Sequence, residues 1–180
     1  MHNTKDNNCP LTAREIAILE DSQYFVNRAV DGLNLQRGRL VNYDFSIRDD
    51  PWNFLTDVYF YITALKRLRQ PILVGRKVAK IKVKVENAIN NFDNEITNAR
   101  NMRDILEHVD EYIQNKGRNK QIRNATLYNV IYTESGIHWA NMTFDIYQTQ
   151  EAAYQLYTSY RRILKKEFKL YRESKSKKLT

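Results

Sequence analysis

Apolar residues recur along most of the chain at the three-then-four spacing of helices that bury one stripe. The clearest run is Asn98 to Lys116, NARNMRDILEHVDEYIQNK, in which Met102, Ile105, Leu106, Val109 and Ile113 mark one face. At about 100° per residue the opposite half carries Arg100, Arg103, Asp104, Glu107, His108 and Glu111. Asn115-Lys116-Gly117 closes this helix, with the glycine suited to a left-handed cap.

Other helices flank it. Thr12-Ala13-Arg14-Glu15 is a capping box, and the helix it opens turns Ile16, Leu19, Phe25 or Val26, Ala29, Val30 and Leu33 inward on the way to Leu40. Asp50-Pro51 combines an N-cap acid with proline at the first helical position, starting a second helix that runs to about Arg69. Trp52, Leu55, Val58, Tyr59 and Ile62 fall on its apolar side; Trp52, Tyr59, Phe60 and Tyr61 are assigned to the core rather than to base stacking. Pro71 should kink or break the chain. A third helix is expected over about 71–93: AKIKVKVE, residues 79–86, alternates like a strand, but Val74, Val78, Ile81, Val85 and Phe92 hold helical spacing over the longer window.

Beyond a basic loop, Thr126 to Tyr132 and Ile137 to about Ile146 flank Glu134-Ser135-Gly136 and predict a hairpin of two strands, stable only if one side packs on the helices. The last helix should open at Thr149-Gln150-Glu151, with Ala153, Leu156, Tyr160, Leu164 and Phe168 inward and a strongly basic outer face. The predicted class is mainly α, an antiparallel bundle of about five helices with a small β-hairpin before the C-terminal helix. Residues 1–180 form one domain with loose ends at 1–10 and 173–180.

Composition narrows the function classes. Five glycines and three prolines in 180 residues supply too few turns for an all-β fold. One cysteine, Cys9, excludes an intramolecular disulfide framework and fits a reducing cytoplasm. The sequence shows no secretory leader and no apolar run near ~18 residues, so the expected location is cytoplasmic with no membrane span. A net charge of +8 draws the molecule to polyanions such as RNA. The cations cluster at Lys66–Arg69, Arg76–Lys84, Lys116–Arg123 and Arg161–Lys169, mostly on faces that solvation alone explains. No Cys or His pair has metal-ligand spacing, and no cofactor loop appears; His138 is expected at the surface or edge of the second strand.

The segment Arg103-Asp104-Ile105-Leu106-Glu107-His108 places a polar residue directly after an arginine and a histidine after four intervening positions. It resembles the R-x4-6-H signature of HEPN domains, small helical bundles of prokaryotic toxin–antitoxin, abortive-infection and CRISPR-associated systems. The resemblance implies a metal-independent endoribonuclease without a cofactor, acting in a stress or phage-defence module with an antitoxin partner. It also implies roles: His108 as general base or acid, Arg103 holding the phosphate, Asp104 orienting either, and a 2′,3′-cyclic phosphate product. Arg100, Lys116 and Arg118 would bind substrate. On a continuous helix Arg103 and His108 point roughly 140° apart, so a homodimer would bring the arginine of one copy to the histidine of the other. In one subgroup a tyrosine two residues after the histidine is modified by a nucleotidyltransferase; Asp110 stands there and Tyr112 follows, so that regulation does not carry over. The same face also reads as surface ion pairs, Arg103 with Glu107 and Asp104 with His108, each contributing about 0.2–0.5 kcal/mol. The protein would then be a non-catalytic helical module that binds nucleic acid or a protein partner.

Overall fold

The computed structural model describes residues 10–44, 51–133 and 135–177. Helix α1 spans Ala13–Val41, and its capping box forms: the Thr12 hydroxyl accepts from the Glu15 N–H at 3.2 Å while the Glu15 carboxylate accepts from the Thr12 N–H at 2.8 Å. Its buried stripe is Ile16, Leu19, Ser22, Val26, Leu33 and Leu40; Phe25 is exposed, so Val26 takes the inward position. Helix α2 covers Pro51–Leu73 and buries Leu55, Val58, Tyr61, Leu65 and Leu68. The expected cap Asp50 lies outside the described residues. Trp52 and Phe60 are exposed and Tyr59 is half-buried rather than in the core: at about 100° per residue Trp52 and Phe60 lie more than about 120° from the centre of the arc that Leu55, Val58, Tyr61 and Leu65 turn inward.

Pro71 does not break α2. It sits in the last turn, so the backbone bond it forfeits, to the Arg67 carbonyl, is lost close to the helix end, and the helix runs on to Leu73 before tightening into a 3-10 turn at Val74–Lys77. The Pro71 carbonyl accepts from the Ser22 hydroxyl at 2.7 Å, and Ser22 meets the Tyr160 hydroxyl at 2.7 Å, so one buried polar cluster ties three helices. The expected helix over 71–93 therefore starts only at Lys82: helix α3 is Lys82–Glu95. Val78 and Ile81 are buried all the same, from the turn before it, and so entered the helical count. At Gly75 a Cβ would stand 3.1 Å from Val85 and 3.2 Å from Tyr160; glycine lets the 3-10 turn pass close to the final helix.

That helix, α7, is Ile146–Ser176. It begins three residues earlier than expected because the Asp145 side chain caps it, accepting from the Gln148 N–H at 2.8 Å; Thr149 is buried and donates to the Asp145 carbonyl. Helical bonding runs past 173 and reaches Ser176; of the expected loose ends, 1–9 and 178–180 lie outside the described residues. Helix α7 lies antiparallel to α1, as the contacts Ser22 to Tyr160, Asn27 to Tyr157 and Asn34 to Gln150 require. On its other side it packs on α3. There Glu167, 2% exposed, meets Lys80 at 3.0 Å and Lys84 at 4.0 Å, which offsets the cost of burying its charge.

Ahead of α7 stands a three-stranded antiparallel sheet, β1 Val130–Thr133, β2 Gly136–Trp139 and β3 Met142–Asp145, in that order. The expected second strand is itself folded back: Ala140 and Asn141 have φ of 51° and 61°, the pair of positive angles that a two-residue hairpin turn needs, and Trp139 pairs with Met142. The beginning of the expected first strand is instead a helical turn, α6, Asn124–Leu127. Ile137, Trp139 and Phe144 face the core; the Trp139 indole donates to the Leu127 carbonyl at 2.9 Å and Phe144 sits edge-on to Tyr61. The class is thus mainly α with a small antiparallel sheet before the C-terminal helix. Seven helices stand among the described residues, none long and apolar enough to cross a membrane.

Candidate functional site

The single helix expected over 98–116 is two helices, α4 Thr97–Glu107 and α5 Val109–Ile113, and the break falls on His108, at φ −128° and ψ 34°. Across the break the inward face changes. Met102 and Ile105 are buried as expected, but Val109 and Ile113 are exposed and Tyr112 is buried in their place. Tyr112 accounts for the turn. Its ring packs on Gly117, where a Cβ would come within 2.4 Å, and its hydroxyl accepts from the Asn119 N–H at 3.2 Å.

Gly117 is therefore required by contact, not by its backbone angle. The left-handed residue is Asn115, at φ 56°. The Lys116 N–H bonds to the Glu111 carbonyl at 2.8 Å and the Asn115 N–H to the Tyr112 carbonyl at 3.0 Å, closing α5 with a Schellman motif. Asn124 then clamps the basic loop, donating through its side chain to the Ile113 carbonyl and through its backbone to the Asn115 side chain, both at 3.1 Å.

Each sequence-predicted residue has a definite place. Arg103 has a side chain only 22% exposed, with Nε 3.3 Å from Glu107 Oε2. His108 is 40% exposed, with Nδ1 3.7 Å from Glu111 Oε1 rather than paired to Asp104. Among the described residues no hydrogen bond or ion pair joins Arg103 to His108. Asp104 lines a cleft of about 270 Å³ with Tyr112, Arg118 and Asn119, so Asp104 and Arg118 are brought together. Arg100 is exposed, and Lys116 donates to the Gln114 side chain at 2.9 Å. Between Arg100 and Glu111 stand two arginines and four acids, which leaves this face net negative. Among the described residues no group of three or more His, Cys, Asp or Glu is placed to hold a metal. His138 is on the central strand, not an edge, and its Nδ1 lies 3.2 Å from the Thr143 hydroxyl.

The cations lie elsewhere. No acid occurs between Glu111 and Glu134, and Lys120 and Arg123 line a groove of about 660 Å³ beside Asn115 and Asn124. Residues 161–177 of α7 and its cap hold eight cations against two acids, one of which is the buried Glu167. A second groove, of about 630 Å³, runs between α3 and α7 with Lys80, Lys84, Lys166 and Lys177 along it and Val83 and Leu170 in its apolar wall. The sequence shows the cations of α7. What it does not show is that Lys80 and Lys84 join them, because that juxtaposition is tertiary. Two tyrosines belong to the scaffold: burial pushes the Tyr61 phenol up to about 12 and raises that of Tyr160.

Set against protein-family models, curated proteins and solved structures, the chain matches none of them. The likeness to HEPN domains rests on the wording of residues 98–116, with Arg103 in α4 and His108 at the break.

Proposed function

We propose that this protein binds nucleic acid, RNA in the first place, through the cationic surface that α7 forms with the start of α3. The observation that carries this is the segregation of charge. The outer C-terminal half of α7 and its cap carry eight cations against one exposed acid, Glu173, which stands 3.8 Å from Lys169, and the one acid buried beneath them fixes Lys80 and Lys84. The face around Arg103 and His108 is acid-rich, and these two side chains have carboxylates beside them at 3.3 and 3.7 Å. Exposed lysines and arginines neutralise a phosphate backbone and release its condensed counterions to solvent, whereas acids repel it. Anisotropy of a labelled RNA, titrated at several salt concentrations, tests the assignment. Affinity should fall steeply with salt, and Lys166→Gln and Lys169→Gln should each flatten the dependence by about one unit of slope. An affinity indifferent to both variants would reject it.

A second function, metal-independent RNA cleavage, is favoured by the R-x4-6-H resemblance together with the exposed position of His108 at a helix break and the cleft shared by Asp104 and Arg118. Arg103 would have to leave Glu107, and a second copy would supply the complementary group, making the active species a homodimer. An antitoxin partner belongs to this function only. Incubation with labelled RNA in EDTA separates the two. Cleavage by the parent that disappears in both Arg103→Ala and His108→Ala supports the nuclease; intact RNA throughout, bound equally by all three proteins, supports binding alone.

A further inference from the structure

Helix α7 carries a second pattern, in its N-terminal half. Residues 146–160 contain no cation, but Tyr147 and Tyr154 are 50% and 59% exposed. At about 100° per residue, Tyr147, Tyr154 and Arg161 fall within about 40° of one another around the axis, and Lys165 and Arg172 continue the same stripe. With a rise of about 1.5 Å per residue, the first three stand about 10 Å apart. The stripe runs along the seam with α1, since Tyr157 donates to Asn27 and Gln150 donates to Asn34 across it.

Arginines lie over tyrosine rings on both helices, Tyr147 among them. Arg37 of α1 lies over Tyr147 at 5.8 Å from its centroid, and Arg161 lies over Tyr157 at 5.5 Å. Farther along α1, Arg28 lies over the exposed Tyr24 at 5.5 Å. Exposed phenol rings with guanidinium groups beside them, leading into a row of lysines and arginines, have the chemistry that holds a single strand: π-faces for bases, then cations for the backbone. A duplex keeps its bases stacked on each other and has none to offer.

We infer that the strand bound is single, with bases stacked on Tyr147 and Tyr154 and phosphates running on to Arg161, Lys165 and Arg172. This rests on the nucleic-acid reading above and specifies the form of its ligand. Both rings are half exposed, so their removal leaves the core intact.

The test compares a labelled oligouridylate with a duplex RNA of equal length, by anisotropy at fixed salt, for the parent, Tyr147→Ala, Tyr154→Ala and Tyr154→Phe. Each alanine variant should weaken single-strand binding about tenfold. Duplex binding should not move, and Tyr154→Phe, which keeps the ring, should bind the single strand like the parent. Single-strand binding that is unchanged in both alanine variants overturns the stacking site while leaving the cationic surface standing. Failure of the parent to bind either RNA overturns both.

Discussion

Helices α4–α5 and α7 both display a row of charged residues, yet the two rows are built differently. On α4–α5 every basic group that resembles a catalytic one has an acid within one helical turn, Glu107 for Arg103 and Glu111 for His108. The most specific contacts nearby, Tyr112 on Gly117 and the Schellman closure at Asn115, hold the chain in shape. On α7 one of the two acids, Glu167, is turned inward and the other, Glu173, stands 3.8 Å from Lys169, which leaves most of the eight cations outward without an acid of their own row beside them. A likeness in sequence can thus reside in residues whose visible task is folding, while the charge available to a ligand sits on a helix with no motif.

If α4–α5 is a folding device, damage to its anchor should exceed damage to its charges. Tyr112→Ala removes a fully buried aromatic and should destabilise the protein by about 3–5 kcal/mol, read from urea or thermal unfolding. A loss under about 1 kcal/mol would mean that the anchor is not one.

Alkali should find the scaffold next. The Tyr61 phenol titrates near 12 when folded and near 10 when unfolded, so the folded state holds its proton longer. Stability is full below about pH 10 and falls as pH rises toward 12, by about 2–3 kcal/mol from this group. In Tyr61→Phe the slope of stability against pH over that window should shrink; an unchanged slope would place the titration elsewhere. Gly117→Ala, which pushes a methyl into the Tyr112 ring, should cost about 1–3 kcal/mol. If it does not, the ring has room to move. The smallest effect belongs to the charges: Glu107→Gln should change stability by no more than about 0.5 kcal/mol.

The helical class, the capping box of α1 and the inward stripes of α1, α2 and α7 were legible because burial imposes a period on the chain. The boundaries were not. Val78 and Ile81 are inward-facing in a turn, and buried residues of a turn look like one more helical repeat. The fold-back at Ala140-Asn141 is poorly marked in the sequence because alanine seldom adopts positive φ, and Asn141 is its only local signal. Asp145 carries no separate cap signal in the sequence because it falls inside an expected strand. At the candidate site, the pairing of Arg103 with Glu107 follows from i,i+4 spacing, whereas the break at His108 goes with a contact outside that spacing, Tyr112 on Gly117, that no helical period reveals. The grouping of Lys80 and Lys84 with the cations of α7 likewise needs the packing of α3 on α7.

The most direct measurement is the salt dependence of RNA affinity in two double variants, Lys166→Gln/Lys169→Gln and Arg103→Ala/His108→Ala. The first should bind more weakly with a slope reduced by about two, and the second should match the parent in both affinity and slope. The opposite pattern, with binding lost only in the second variant, would contradict the assignment of nucleic-acid contact to α7.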